Sequence, residues 1–148
     1  MQPAGTIRMY RHAPSFSGDM QRCGRAMFAA RRSTSARTTV SVLGEIDAVN
    51  SRVMARYVEA HTGVSRQLLL DLRAVDFFGG HGFTALYYIS VHCARSDVDW
   101  VIIGAPPVRR LLDICDADGE LPLVDDLVSA LVRLDRCAQC RRHVVPVG

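Results

Sequence analysis

The segment Gly79-Gly80-His81-Gly82 contains the residue types best suited to a close contact with another molecule. Glycine lets the backbone adopt unusual angles and allows a partner to approach it closely. A helical pattern starts at Phe83, and the first amides of a helix can face an anion. The segment lacks the lysine and the spacing of a P-loop, and it has no Gly-x-Gly-x-x-Gly. It therefore predicts backbone contact with a partner rather than nucleotide binding.

Two carboxylates, Glu45 and Asp47, follow a predicted strand in the run Gly44-Glu-Ile-Asp47. In open α/β sheets the functional crevice lies beyond the carboxyl ends of the strands. We therefore expect this turn to lie beside the glycine-rich segment. Asp47 can accept hydrogen bonds from that segment, or it can be a turn or helix-capping residue. The sequence leaves both roles open.

Cys137, Cys140 and His143 form the one cluster with metal-like spacing. A structural zinc site needs four ligands, so we predict no metal and two reduced, unligated cysteines. We place Cys93 and Cys115 on buried helix faces, and no serine occupies a Gly-x-Ser-x-Gly elbow. All 18 basic residues are arginine, which excludes lysine chemistry. The residues therefore offer little for nucleophilic catalysis, and we predict no cofactor.

Charge is strongly segregated along the 148 residues, although the net charge is only +3. Residues 1–37 carry seven arginines and one acid, residues 38–132 carry seven arginines and thirteen acids, and residues 133–148 carry four arginines and one acid. The body is thus acidic and the ends are basic, which favours solubilising tails over nucleic-acid binding.

No apolar run is long enough to span a membrane. Five cysteines without an export signal predict reduced thiols in the cytoplasm.

The hydrophobic pattern predicts three regions: a flexible basic leader over 1–24, one domain over 25–134, and a basic tail rich in Cys and Arg over 135–148. Within the domain we expect five strands, at 25–31, 38–43, 67–72, 99–103 and 121–124. A hairpin loop over 32–37 joins the first two strands, and a second loop covers 73–82.

Four helices are expected between and after these strands. The first is capped by Asn50 and ends near Gly63, and Pro106 opens the third. Their predicted inner faces are Val53, Met54, Tyr57 and Val58; Phe83, Leu86, Tyr87, Ser90 and Cys93; Val108, Leu111, Leu112 and Cys115; and Leu127, Val128, Leu131 and Leu134. This order of elements predicts an α/β fold with a mixed, mostly parallel sheet that begins with a hairpin.

Three stretches resemble the STAS domain family, which includes the bacterial anti-sigma factor antagonists. They are Val42-Leu-Gly-Glu-Ile-Asp47, the run Leu68-Leu-Leu-Asp-Leu-Arg-Ala-Val-Asp-Phe-Phe78 with Gly82-Phe-Thr-Ala-Leu86, and Ile102-Ile-Gly-Ala-Pro-Pro-Val-Arg-Arg-Leu-Leu112. The resemblance covers about residues 25–134. It implies a STAS-type fold and a non-enzymatic protein. Its implied partner is an anti-sigma factor with a histidine-kinase-like ATPase fold, and binding that factor would free a sigma factor.

The glycine-rich segment departs from the family's Asp-Ser-Ser-Gly loop, in which the second serine is phosphorylated. Glycine replaces the acid at Gly79, and His81 occupies the position of the phosphorylated serine. Phosphorylation cannot act as the switch at this position, because the hydroxyl is missing. Three consequences stay open: constitutive binding, control elsewhere (the loop 31–35 or Thr6), or a changed partner.

The sequence thus predicts a partner-binding surface made by the two loops. Its expected residues are Glu45, Asp47, Phe78, Gly79, Gly80, His81, Gly82 and Phe83. Of the two adjacent phenylalanines, Phe77 and Phe78, we expect one in the core and one at its rim. The alternative hypothesis is a STAS module that senses a small ligand or nucleotide through the same loop. Whether the chain forms oligomers stays open.

Overall fold

A computed structural model describes residues 20–34 and 36–143, which form one mixed α/β domain. The elements in chain order are β1 (Gln21–Cys23), β2 (Ala26–Thr34), β3 (Arg37–Ile46), α1 (Ser51–Thr62), β4 (Gln67–Phe78), α2 (Gly80–Ser96), β5 (Asp99–Ile103), α3 (Pro106–Cys115), β6 (Leu123–Val124) and α4 (Leu127–His143). The six strands lie side by side in chain order. Strands β1, β2 and β3 pair antiparallel, whereas β3 to β6 pair parallel. The predicted fold class is confirmed.

Helices cover the two faces of the sheet unequally. On one face α1, α2 and α3 pack over alternate strand residues such as Leu68 and Leu70. On the other face α4 alone packs over Leu69, Val101 and Ile103, through its own Ala130 and Leu134. The continuous apolar run in β4 arises because this part of the strand is covered on both sides.

Strand β4 is much longer than the apolar run that predicted it. It continues to Phe78, and α2 begins at Gly80, so the loop expected over 73–82 is reduced to Gly79. The extension stays paired with β3, and in it Val75 and Phe78 are buried while the intervening residues are exposed. One face of this half of the strand lacks a helical cover and carries polar side chains. In the sequence these polar residues end the apolar run, and such a pattern is typical of a loop.

Four predicted inner-face residues are exposed, and these predictions are wrong. Tyr87 points outward, because α2 packs through Leu86, Ile89 and Cys93. Cys115, the last residue of α3, is also exposed. Along α4, Leu127 is partly exposed and Val128 largely exposed. Ala130 and Leu134 face the sheet instead, which turns Val128 away from it.

The ordered elements extend beyond the boundaries expected from the sequence. Strand β1 lies inside the predicted leader, where it pairs with β2, and α4 continues into the predicted tail as far as His143. Most of the leader, including Thr6, lies outside the described residues, as do Ser35 and residues 144–148. None of the helices in the described ranges has both the length and the apolar character needed to cross a membrane.

Candidate functional site

The carboxyl ends of β3 and β4 lie side by side, which brings the two candidate loops together. Glu45 pairs with Phe77, and Ile46 pairs with Phe78. Beyond the last pair, the amide of Gly79 donates a 3.1 Å hydrogen bond to the carbonyl of Ile46. The glycine-rich segment is therefore anchored directly to the start of the Glu45-Ile46-Asp47 turn.

Gly44 provides the bend that orients Glu45. Its φ is +99°, and a Cβ at this position would lie 2.1 Å from the carbonyl oxygen of Arg25. The register between β3 and β4 shifts here, and the Glu45 amide donates to that same carbonyl over 3.1 Å. Only glycine fits this close approach. The Glu45 carboxylate lies 3.8 Å from the Arg25 guanidinium, an exposed ion pair that contributes little stability.

The buried Asn50 side chain fixes the turn after β3. Its Nδ2 donates to the carbonyls of Glu45 (2.8 Å) and Cys23 (3.1 Å), and its Oδ1 accepts from the amide of Asp47 (3.0 Å). Asn50 is at the N-cap position of α1, as predicted, but its side chain makes no capping bond to the helix. It instead joins the first hairpin, the end of β3 and the turn.

Asp47 stabilises the turn internally. Its carboxylate accepts a 2.9 Å hydrogen bond from the amide of Val49, and its carbonyl accepts one from the amide of Ser51. The sequence left two roles open for Asp47. These bonds show that it stabilises its own turn, and they do not involve the glycine-rich segment. The second carboxylate oxygen leaves Asp47 able to accept a bond from a partner.

Two glycines of the segment, Gly80 and Gly82, have different surroundings. Gly82 is buried in the first turn of α2, where a Cβ would lie 2.6–2.8 Å from the ring of Phe78. Gly80 is exposed, and a Cβ there would meet no atom within 4 Å. His81, between them, is exposed as well. Packing therefore requires glycine at position 82, whereas nothing in the fold requires it at position 80.

The two adjacent phenylalanines divide between core and surface, as predicted. Phe78 is 5 % exposed and lies under Gly82, whereas Phe77 is 51 % exposed at the edge of the sheet. Phe78, which we expected to contact a partner, instead packs beneath the glycine-rich segment, residues 79–82, which we call the glycine turn. Phe77 is the phenylalanine that a partner can reach. Phe83 is partly buried against the core.

An exposed aromatic pair on α2 was missed by the sequence analysis. Tyr87 and Tyr88 are both exposed, with ring centroids 6.2 Å apart. The guanidinium of Arg52, on α1, lies 5.7 Å from the centroid of the Tyr88 ring. Tyr87 was assigned to the inner face from its spacing, although Ile89 also fits an apolar stripe with Leu86 and Cys93. The stripe formed by Leu86, Ile89 and Cys93 was therefore the pattern in the sequence that could have placed Tyr87 on the outer face.

The cysteines offer little nucleophilic or metal-binding chemistry. Burial, with a smaller effect from Glu59, raises the pKa of the Cys93 thiol to about 12, so this thiol is protonated at neutral pH. Burial, followed by the charge of Asp99, also raises the pKa of Cys137. Among the described residues, no three His, Cys, Asp or Glu side chains are grouped to hold a metal ion. The side chain of His143 lies outside the described residues.

One groove of the described residues is lined by other residues than those of the glycine turn. It has a volume of about 790 Å³ and runs along α4 beside Val124 and Asp99. The glycine turn itself lies at an edge of the sheet where the backbone of Gly80 is open to solvent. Such an edge is suited to contact with a macromolecule more than to enclosing a small ligand.

Comparisons with known proteins agree with this architecture. The sequence model of the STAS domain matches residues 28–130. Osmosensory protein A of Mycobacterium tuberculosis is 28 % identical over 112 residues, which cover 73 % of this chain and 71 % of that protein.

Two solved structures share the fold. An anti-sigma factor antagonist from Mycobacterium paratuberculosis superposes with a TM-score of 0.62 at 24 % identity, over 73 % of this chain and 92 % of that one. The anti-sigma factor antagonist SpoIIAA, in its unphosphorylated form, superposes with a TM-score of 0.59 at 11 % identity, over 80 % and 99 %. At these identities the structural likeness establishes the fold.

The contrast between Gly82 and Gly80 gives a matched pair of alanine substitutions. Gly82→Ala should lower the free energy of unfolding by about 1–3 kcal/mol, because the new methyl group overlaps the Phe78 ring. Gly80→Ala should leave it unchanged or raise it by up to about 1 kcal/mol, because the site is open and alanine favours the helix. Urea unfolding of both variants measures the difference. Equal stability of the two would contradict the packing described here.

The bonding of Asn50 predicts a large cost for its removal. Asn50→Ala should reduce the free energy of unfolding by about 2–4 kcal/mol, because two carbonyls and one amide lose their partner in a buried site. The neighbouring, exposed Val49→Ala serves as the control and should change it by less than about 0.5 kcal/mol. Chemical denaturation of both variants checks this, and a small effect at Asn50 would show that its bonds are dispensable.

Proposed function

The chain belongs to the STAS domain family, and we propose that it is a regulatory module that binds and sequesters an anti-sigma factor. Its fold is that of known anti-sigma factor antagonists. The resemblance of its motifs to that group suggests a partner with a histidine-kinase-like ATPase fold. The proposed complex forms in the cytoplasm, and its formation releases a sigma factor.

The observation that carries the proposal is the open backbone at Gly80. Packing does not require glycine at this position, and the missing side chain exposes the first turn of α2 to an approaching molecule. His81 and Phe77 flank it as exposed side chains. A partner can thus contact polypeptide backbone in the centre and an aromatic anchor at the side, which is typical of a protein interface.

The acids of the neighbouring turn add electrostatic selectivity. Glu45 and Asp47 are both partly exposed beside the glycine turn. Residues 38–132, which include both, carry thirteen acids and seven arginines, a net charge of −6. Acidic side chains at a binding edge favour contact with a basic surface, chiefly through a faster association rate. We therefore propose that the anti-sigma factor presents a basic patch to this edge of the sheet.

The proposed activity is binding without catalysis. Residues 79–82 contain no hydroxyl or thiol, and the cysteine of α2, Cys93, is a buried thiol with a pKa of about 12. An interface of ordinary size, about 1,200–2,000 Å² in total, is sufficient for stable binding. The affinity is expected to depend on a few anchors, chiefly Phe77 and the backbone of Gly80.

The proposed complex is not switched off by phosphorylation of the glycine turn. In the antagonist group the switch is a phosphoserine at the position of His81, and a phosphate adds about −1.5 to −2 charges to the interface. His81 has no hydroxyl to accept that phosphate. We therefore infer that modification of residue 81 does not regulate binding, so that binding is constitutive with respect to this position. Control is then left to the abundance of the partner or to other residues of the chain.

A substitution at Gly80 tests the docking surface directly. Gly80→Arg should weaken binding to the cognate anti-sigma factor by roughly tenfold or more, about 1.4 kcal/mol, because the side chain occupies the space the partner needs. Calorimetry or pull-down with anti-sigma factors of the native host measures this. Gly80→Ala is the control for side-chain size and should weaken binding far less than Gly80→Arg, and neither variant should unfold at a lower temperature than the wild type. Undiminished binding by a folded Gly80→Arg would refute the surface.

Phosphorylation gives a second test. Incubated with ATP and its anti-sigma factor, the wild-type chain should gain no phosphate on residues 79–82, because no hydroxyl is present there. His81→Ser places a hydroxyl on the exposed first turn of α2 and should gain one phosphate, read by intact-protein mass spectrometry. A phosphate on His81 of the wild type would contradict the proposed absence of a switch.

A further inference from the structure

Helix α4 presents an exposed apolar stripe on its outer side. Val128 is 70 % exposed and Val132 is 48 % exposed, and the two lie one turn apart. The residues that pack on the sheet, Ala130 and Leu134, occupy the other side of the helix. The groove of about 790 Å³ runs along this stripe and continues to Val124 on the edge strand β6. This side of the molecule can therefore accept a second helix.

Opposite charges flank the stripe at equal distances. Asp125 and Asp126 lie at the amino end of α4, and Arg133 and Arg136 lie beyond the valines. The two arginines lie on average four to five residues after Ala130, about 7 Å along the helix axis, and the two acids precede Ala130 by the same number of residues. Such a pattern is complementary to itself when the helix is reversed.

The charged groups are available for such pairing. Arg133 and Arg136 are exposed, and neither forms an ion pair with another residue in the described part of the chain. Asp125 contacts Arg109 in an exposed ion pair, which is weak and exchanges easily. Asp126 accepts a bond from the amide of Ser129, which together with the Ser129 side chain keeps its pKa below the usual range, so it stays charged.

Ion pairs at the carboxyl end of α4 hold this helix in place. Arg141 contacts the carboxylates of Asp97 (2.9 Å) and Asp99 (2.7 Å), which precede or begin β5. Its Nη2 also donates to the Asp97 carbonyl over 3.1 Å. Hydrogen bonds from Arg141 lower the pKa of Asp97 below its usual range. The stripe is thus presented on a fixed helix, which reduces the entropy lost on association.

We infer that α4 is a homodimer interface, in which it packs antiparallel against α4 of a second copy of this chain. The twofold axis passes level with Ala130. Val128 of each copy then packs against Val132 of the other, and Asp125 and Asp126 lie opposite Arg133 and Arg136 of the other. The contact is isologous, so a closed dimer forms rather than a filament.

A second copy satisfies the charge pattern better than an unrelated partner. A purely acidic helix would match the two arginines but would leave Asp125 and Asp126 facing like charge. The same helix in reverse matches both pairs at once. The surface lies on the α4 face of the sheet, while α2, which begins at the glycine turn, packs on the opposite face. Dimerisation and the proposed docking of an anti-sigma factor are therefore independent.

The inference is tested by measuring mass in solution and by exchanging charges. In sedimentation equilibrium the wild-type chain should reach the mass of two chains as concentration rises, and Val128→Glu should raise the dimer dissociation constant roughly tenfold or more. The charge-reversed variants Arg133→Glu/Arg136→Glu and Asp125→Arg should each weaken self-association similarly. Arg95→Glu, on an exposed part of α2, is the matched control and should dimerise like wild type.

Mixing the two charge-reversed variants provides the decisive result. Their opposite charges face each other in an antiparallel pair, so the mixture should form a heterodimer although each variant alone is largely monomeric. Circular dichroism confirms that every variant is folded. A wild type that stays monomeric at all concentrations, a dimer that Val128→Glu leaves intact, or a mixture that stays monomeric would each overturn the inference.

Discussion

The parallel pairing of β3 with β4, maintained to the last residue of both strands, determines the whole candidate site. It places Glu45 beside Phe77 and ties the amide of Gly79 to the end of β3. Two irregularities accommodate it, of which the one at Gly44 depends on a backbone angle that other residues adopt only with strain. The bonds of Asn50 then fix the following turn in place. The surface is therefore formed by rigid strand ends rather than by a long loop.

The uneven cover of the sheet separates two surfaces. Three helices on one face form the main core, and one helix on the other forms a smaller core. The glycine turn lies at the carboxyl edge of β4, whereas the outer side of α4 lies on the less covered face. Helix α4 and helix α2, which begins at the glycine turn, thus pack on opposite faces of the sheet. A module built in this way can pair with a copy of itself and still present its docking edge.

The glycine turn combines two different requirements in four residues. Gly82 is needed by the fold, since the Phe78 ring fills the space of a side chain. Gly80 has no such need, and glycine in a helix lowers stability relative to alanine. A residue that the fold does not require, and that costs stability, is the strongest local indication of function. His81 between them leaves the exposed turn without a hydroxyl.

The sequence by itself determined the class of fold, the family and the order of the elements from β2 onward, whereas β1 was expected to be part of a flexible leader. Apolar runs such as Leu68–Leu70 and helix-starting residues such as Pro106 depend on local chemistry, and they stand where expected. The neighbouring turns at Glu45 and Gly79 were also predictable, because parallel strands end at one edge. Only the tertiary structure decided that β4 continues to Phe78, that Phe78 lies inward and Phe77 outward, and that Tyr87 and Val128 face solvent. These outcomes depend on which face of a strand or helix another element covers, and residue spacing within one segment does not contain that information.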